Sequence, residues 1–147
     1  MLTVIDASIV VAALEHNDAH HEAASDALTE SAAAGSVLLP ASAYAESLVH
    51  PMQQSEKAAD EVDAFLDRSA VTVVEIGASA GREAARLRAL HGLALADALV
   101  LGLAAALNAD TILTADRGWA KISPRVVVVR RNNPHPQSAR PAGTTPA

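Results

Sequence analysis

Leu93-Ala94-Leu95-Ala96-Asp97-Ala98-Leu99-Val100-Leu101-Gly102-Leu103-Ala104-Ala105-Ala106-Leu107 is apolar on every helical face, so as a helix it must be buried on most sides. Leu and Ala favour helix strongly, and Gly92 before the stretch and Asn108 after it punctuate its ends. It is too short to span a bilayer, and a charge interrupts it. That charge is Asp97, the only ionisable group between His91 and Asp110. A buried, unpaired carboxylate is costly, so Asp97 needs a cation, hydrogen bonds or a water-filled cleft. In a first turn the helix dipole supplies about 0.3–1 kcal/mol. That leaves two readings open, a capping carboxylate or a functional acid.

Outward from this helix, short apolar runs alternate with helical patterns. Leu2-Thr3-Val4-Ile5 reads as a strand, with Ser8 as the N-cap of a helix over Ile9 to Leu14. A second helix runs from His20 or His21 to Ala33 and Gly35 closes it; the strand Val37-Leu38-Leu39 then stops at Pro40. Ser42 is the expected cap of a helix carrying Tyr44, Glu46, Leu48 and Val49, broken at His50-Pro51. Ser55 to Ser69 is amphipathic, with Ala58, Val62, Phe65 and Leu66 inward. A strand over Val71 to Ile76 precedes a helix over Ser79 to Leu90. Strands at Thr111 to Thr114 and Val126 to Val129 follow the buried helix. This alternation predicts an α/β fold, a three-layer α/β/α sandwich around a parallel sheet of about five strands. From Asn132 the composition turns to Asn, Pro, Ser, Gly, Thr and Arg. The expectation is one domain over residues 1–131 and a disordered tail over 132–147.

The composition narrows the chemistry. Half of the 147 residues are apolar, yet there is one Phe, one Tyr and one Trp, so the core is built of Ala, Val and Leu. The absence of cysteine excludes disulfides, thiolate chemistry and cysteine-based zinc sites. Met1 leads directly into a strand, so no signal peptide is read and the expected location is the cytoplasm, with no membrane partner. A net charge of −6 argues against a surface that coats nucleic acid broadly, but not against an acidic cleft that holds a cation.

Four carboxylates stand at comparable places in this plan. Asp6 ends the first strand, Asp116 follows the fourth, and Glu46 and Asp97 lie in the opening turns of their helices. In a right-handed doubly wound sheet the helix N-termini share an edge with the strand C-termini, where such sheets bind ligands. Each acid alone has a local explanation: a cap, a helix dipole, or the Asp116-Arg117-Gly118-Trp119 turn. Together they would repel unless a divalent cation neutralised them, and oxygen ligands favour Mg²⁺ or Mn²⁺.

Val4-Ile5-Asp6-Ala7-Ser8, Glu46 after the second strand, Leu95-Ala96-Asp97-Ala98, and Ala109-Asp110-Thr111-Ile112-Leu113-Thr114-Ala115-Asp116 resemble the PIN-domain nucleases. Length and layout are most similar to the VapC toxins of bacterial toxin–antitoxin pairs. The resemblance implies a metal-dependent endoribonuclease in which Asp6, Glu46, Asp97 and Asp116 are metal ligands and catalytic acids. It also implies Ser8 and Thr114 as supporting hydroxyls, RNA as substrate, a small antitoxin as partner and a homodimer. A housekeeping RNA-maturation nuclease and a non-cutting RNA- or protein-binding module remain alternatives. Arg117, next to Asp116, is a candidate RNA contact. Asp110 reads as the turn before the fourth strand, Trp119 as core packing, and Arg82 with Arg86 as a solvated face. His16, His20 and His21 fall around a loop between two helices. A phosphotransfer enzyme with Asp6 as nucleophile would want an acid where Ser8 stands, and Gly77 and Gly81 lack a phosphate-loop pattern.

Overall fold

Five short β-branched runs form a single parallel sheet in the computed structural model, which describes residues 1–131. The expected tail over 132–147 lies outside the described residues. The order along the chain is β1 (Leu2–Ile5), α1 (Ala7–Leu14), α2 (His21–Ala34), β2 (Ser36–Pro40), α3 (Ala41–Gln54), α4 (Glu56–Arg68), β3 (Val71–Val74), α5 (Ala78–His91), α6 (Leu95–Ala106), β4 (Thr111–Thr114), a short 3-10 helix (Arg117–Lys121) and β5 (Val126–Val128). The strands lie in the order β3-β2-β1-β4-β5, all parallel. Helices pack on the sheet around it: α6 against β1 and β2, α1 against β4, α2 against β2, α4 against β3. The chain first winds outward through β2 and β3, then returns past β1 to β4. The winding therefore reverses between β1 and β4, where an α/β sheet opens a crevice at the strand C-termini.

The core is aliphatic, as the composition requires: Val4, Ile5, Ile9, Val10, Val37, Leu39, Leu101, Ile112 and Leu113 are buried, together with Trp119. α6 is the buried helix expected, with Ala98, Val100, Leu101, Gly102, Leu103 and Ala104 all inside. Gly92 closes α5 in the left-handed conformation, and Asn108 takes the same conformation just past α6. α5 and α6 approach so closely that a Cβ on Gly102 would lie 2.6 Å from the Ala84 backbone nitrogen and 2.7 Å from the Ala80 carbonyl oxygen. Backbone cannot move aside as a side-chain tip can. Gly102→Ala is expected to destabilise the chain by about 1–3 kcal/mol, read as a lower urea midpoint. An unchanged midpoint would show that the two helices separate freely.

Several local expectations are corrected. The N-cap of α1 is Asp6, not Ser8, because the strand passes into the helix with Asp6 alone between them. α3 begins at Ala41 after Pro40, and the Ser42 hydroxyl is buried without a hydrogen-bond partner instead of capping. Pro51 lies inside α3, which runs on to Gln54. The proline gives up the bond its nitrogen would make to the Ser47 carbonyl, and the helix continues past it, with Ser55 N–H donating to Pro51 O at 3.0 Å. In α4 it is Ala59, not Ala58, that is buried with Val62 and Leu66. β3 stops at Val74 and β5 at Val128, each shorter than the apolar run suggested.

Candidate active site

Asp6 follows β1 directly, and the β1–β4 pairing of Ile5 with Leu113 sets it level with Thr114. Its carboxylate is 8 % exposed and fixed from three directions. The Ser8 hydroxyl donates to Oδ1 at 2.5 Å, the Thr114 hydroxyl donates to Oδ2 at 2.7 Å, and the Ile9 N–H reaches Oδ1 at 3.4 Å. Both hydroxyls also accept. Ala115 N–H donates to Ser8 Oγ at 2.9 Å and Asp116 N–H donates to Thr114 Oγ1 at 3.0 Å. Two hydroxyl relays thus tie the buried acid of β1 to the backbone that carries the acid of β4. A short polar side chain is needed at 8 and at 114 for this, since each oxygen donates once and accepts once.

Asp97 lies half-buried in the first turn of α6, which has no side-chain cap of its own. Asp116 is exposed beyond β4, where its Oδ1 accepts from Gly118 N–H at 2.8 Å and caps the 3-10 helix. Burial pushes the Asp6 carboxyl above its ordinary pKa, the hydrogen bonds from Ser8, Thr114 and Ile9 pull it part of the way back, and the charge of Asp97 adds to the rise. Asp97 is raised by burial first and by the charge of Asp116 second. Three carboxylates from β1, α6 and β4 therefore feel one another at the reversal point. None of the three pairs with a Lys or Arg among the described residues.

The sequence reading takes Trp119 first as core packing and second as a base-stacking residue, and misses its place beside Asp97. It is core, 2 % exposed, but its indole Nε1–H is buried with no acceptor at hydrogen-bonding geometry. The N–H lies near enough to Asp97 to favour its charged form and lower its pKa, as a dipole and not as a formed hydrogen bond. No pattern within the sequence signals this, because 22 residues separate the two positions.

Glu46 occupies the second turn of α3, a helix packed against α1 and α6, and its side chain is exposed. No hydrogen bond or ion pair joins it to the other three acids. Among the described residues no three Asp, Glu or His side chains are gathered closely enough to hold a metal ion as they stand. The chemistry of the donors nevertheless suits a hard divalent ion: carboxylate and hydroxyl oxygens, mutual repulsion, and no countercharge. Asp110 lies at the opposite sheet edge, where its Oδ2 accepts from Leu2 N–H at 2.7 Å. It clips β1 to the start of β4, a structural task in keeping with a turn. Arg86 pairs with Glu83 on the solvent side of α5, and His16 packs against His21 beside the α1–α2 loop.

The raised carboxyls carry a pH signature. A group that holds its proton more tightly when folded makes folding take up protons, so metal-free stability falls as pH rises from its ordinary value through its raised one. Below the ordinary value of 3.8 for Asp97 the acid is protonated in both states and the term vanishes. In EDTA, the stability advantage of Asp97→Asn over the unsubstituted chain is therefore expected to grow with pH above that point and then level off. Urea unfolding at a series of pH values measures it, and a pH-independent difference would contradict the assignment.

The sequence model of the PIN domain matches residues 3–123, most of the chain. No curated protein matches the chain by sequence. Among solved structures, a chain of VapBC2 from Rickettsia felis, bound to a DNA fragment from its promoter, superposes with a TM-score of 0.70 at 21 % identity, covering 87 % of this chain and 97 % of that one. A toxin–antitoxin complex from Klebsiella pneumoniae gives 0.69 at 20 % identity, covering 88 % and 98 %. VapC20 from Mycobacterium tuberculosis, described as a Sarcin-Ricin loop cleaving toxin, gives 0.67 at 17 % identity, covering 88 % and 98 %. At these identities the likeness is one of fold.

Proposed function

The chain belongs to the PIN-domain family, and from that premise we propose that it is a divalent-metal-dependent endoribonuclease, the toxin of a toxin–antitoxin pair. One observation carries the reading: carboxylates from three distant segments meet at the sheet's reversal point, where the charge of Asp97 acts on buried Asp6 and the charge of Asp116 acts on Asp97, with no Lys or Arg paired to them among the described residues. Asp6 and Asp97 would be the principal ligands of Mg²⁺ or Mn²⁺, with Asp116 and Glu46 completing the set. A divalent ion at such a site supplies an activated water, charge relief on the phosphoryl oxygens and a stabilised leaving oxygen.

The chain's own residues do the rest. The Ser8 and Thr114 hydroxyls occupy one lone pair on each Asp6 oxygen, which fixes the plane of the carboxylate and leaves outward lone pairs for a ligand. The Trp119 indole N–H offsets part of the rise that burial and the charge of Asp116 impose on Asp97. Water attacks the phosphorus as the P–O bond to the leaving ribose oxygen breaks. The attacking water's proton passes to whichever carboxylate oxygen of Glu46 or Asp116 a bound metal would leave free. Purified protein is expected to cut labelled RNA with Mg²⁺ or Mn²⁺, to stop in EDTA and to resume when metal is restored. The wide spacing of the acids favours a second reading, a PIN-like module that binds without cutting. RNA bound but uncut in the presence of metal would establish that reading instead.

An antitoxin arginine would pair with the same carboxylates, so raising Mg²⁺ should weaken antitoxin binding. The exposed apolar side chains Val49 and Met52 of α3 are about half accessible and suit a homodimer contact, whereas Val62 and Leu66 of α4 are buried in the core. Light scattering should give a dimer. A strict monomer, or antitoxin affinity indifferent to Mg²⁺, would refute the respective half.

A further inference from the structure

β5 pairs with β4 through Val128 opposite Thr114, and Val129 N–H donates to Thr114 O at 2.8 Å. Two residues on from that pair, Arg130 leaves the sheet level with Asp116. Arg117 opens the 3-10 helix immediately after Asp116. The two arginines line one open cavity of about 400 Å³, with Ala120 and Val128 completing its lining. Among the described residues no carboxylate lines it.

Three of the other arginines are occupied. Arg86 pairs with Glu83, Arg88 donates to Leu93 O at 2.7 Å, and Arg125 holds Asn108 Oδ1 and Ala109 O. Arg117 and Arg130 are exposed and make no hydrogen bond or ion pair among the described residues. Lys121 and Arg131, also exposed, lie close by in the chain, so this corner is basic in a protein whose net charge is −6. Two guanidinium groups facing one cavity repel until an anion lies between them. Their planar forks suit the paired oxygens of a phosphodiester.

We propose that Arg117 and Arg130 form a cradle for an RNA backbone phosphate, beside the acidic crevice on its β5 side. This rests on the ribonuclease reading. Along the sheet edge the acids of β1 and β4 come first and the arginines of the 3-10 helix and β5 follow. A strand whose scissile phosphate meets the acids would carry a neighbouring phosphate onto the arginines. An acidic peptide would satisfy the charge equally, but the adjacency to Asp116 favours the polymer on which the acids act. Such contacts position the strand and carry no base specificity.

The test is equilibrium binding of a short fluorescein-labelled single-stranded RNA to the full chain in EDTA, across a salt series, with cleavage in Mg²⁺ followed in parallel. Each phosphate neutralised adds about 0.7 to the slope of log affinity against log salt. The Arg117→Ala/Arg130→Ala double variant should therefore flatten the slope by about 0.7, the share of one phosphate, and Arg130→Ala by part of that. The double lysine variant should keep most of the slope, and all variants should melt with the parent. A folded double alanine variant with the parental slope would overturn the cradle, and if the parent still cuts RNA the ribonuclease reading stands without it. A parent that neither binds nor cuts RNA would remove both. Unchanged RNA binding with loss of antitoxin affinity would reassign the arginines to a protein partner.

Discussion

Asp97→Asn is expected to lower kcat for RNA cleavage by on the order of 10²–10⁴-fold, the range for losing a positioned charged group at a reacting centre. The amide keeps the shape of the side chain at the head of α6 and removes only the charge. Folding should survive, since Asp97 makes no ion pair and its partner in effect, the Trp119 N–H, is a dipole that a side-chain amide oxygen still attracts. Asp6→Asn should inactivate as well. There the amide must also fit between two hydroxyl donors, so its stability is the less clean readout. Full activity in either variant would remove that acid from the site.

The second large effect is on stability. A ligand that binds only the folded chain, present at about 100 times its Kd, stabilises by about 2.7 kcal/mol. At about 2–4 °C per kcal/mol for a chain of this size, that is a rise in melting temperature of roughly 5–10 °C. The parent chain in Mg²⁺ should show a rise of this order over the same chain in EDTA. Asp97→Asn should start higher in EDTA, relieved of its repulsion with Asp6 and Asp116, and gain much less from the metal. Equal gains in the two proteins would place the metal elsewhere. A fall in EDTA would make Asp97 a structural carboxylate.

The parallel sheet was legible because runs such as Val37 to Leu39 and Thr111 to Thr114 are apolar without alternation, which only a sheet covered on both faces permits. The edge shared by Asp6, Asp97 and Asp116 followed from handedness alone. Capping did not decide between local and functional roles: Asp6 caps α1 and Asp116 caps the 3-10 helix, yet neither cap explains why burial and a neighbouring carboxylate raise both Asp6 and Asp97. What was illegible depends on register and on side-chain direction. Arg130 comes level with Asp116 only because Val128 pairs with Thr114, and the indole N–H of Trp119 turns toward Asp97 inside the core. The Asp6–Ser8–Thr114 relay needs two strand ends side by side, 108 residues apart in the chain at Asp6 and Thr114. Pro51 misled because the one backbone hydrogen bond a proline removes weakens a helix without having to end it.

Glu46 is the acid on which the account is most exposed, since family resemblance includes it and no contact joins it to the rest. Mn²⁺ binding to the metal-free protein, followed by the loss of the free-ion electron paramagnetic resonance signal, tests the shared site directly. The unsubstituted chain should bind Mn²⁺, and Asp6→Asn, Asp97→Asn, Asp116→Asn and Glu46→Gln should each weaken it. An unsubstituted chain that leaves the free-ion signal intact, or a set of variants that all bind as it does, would contradict the claim that these carboxylates hold one metal centre.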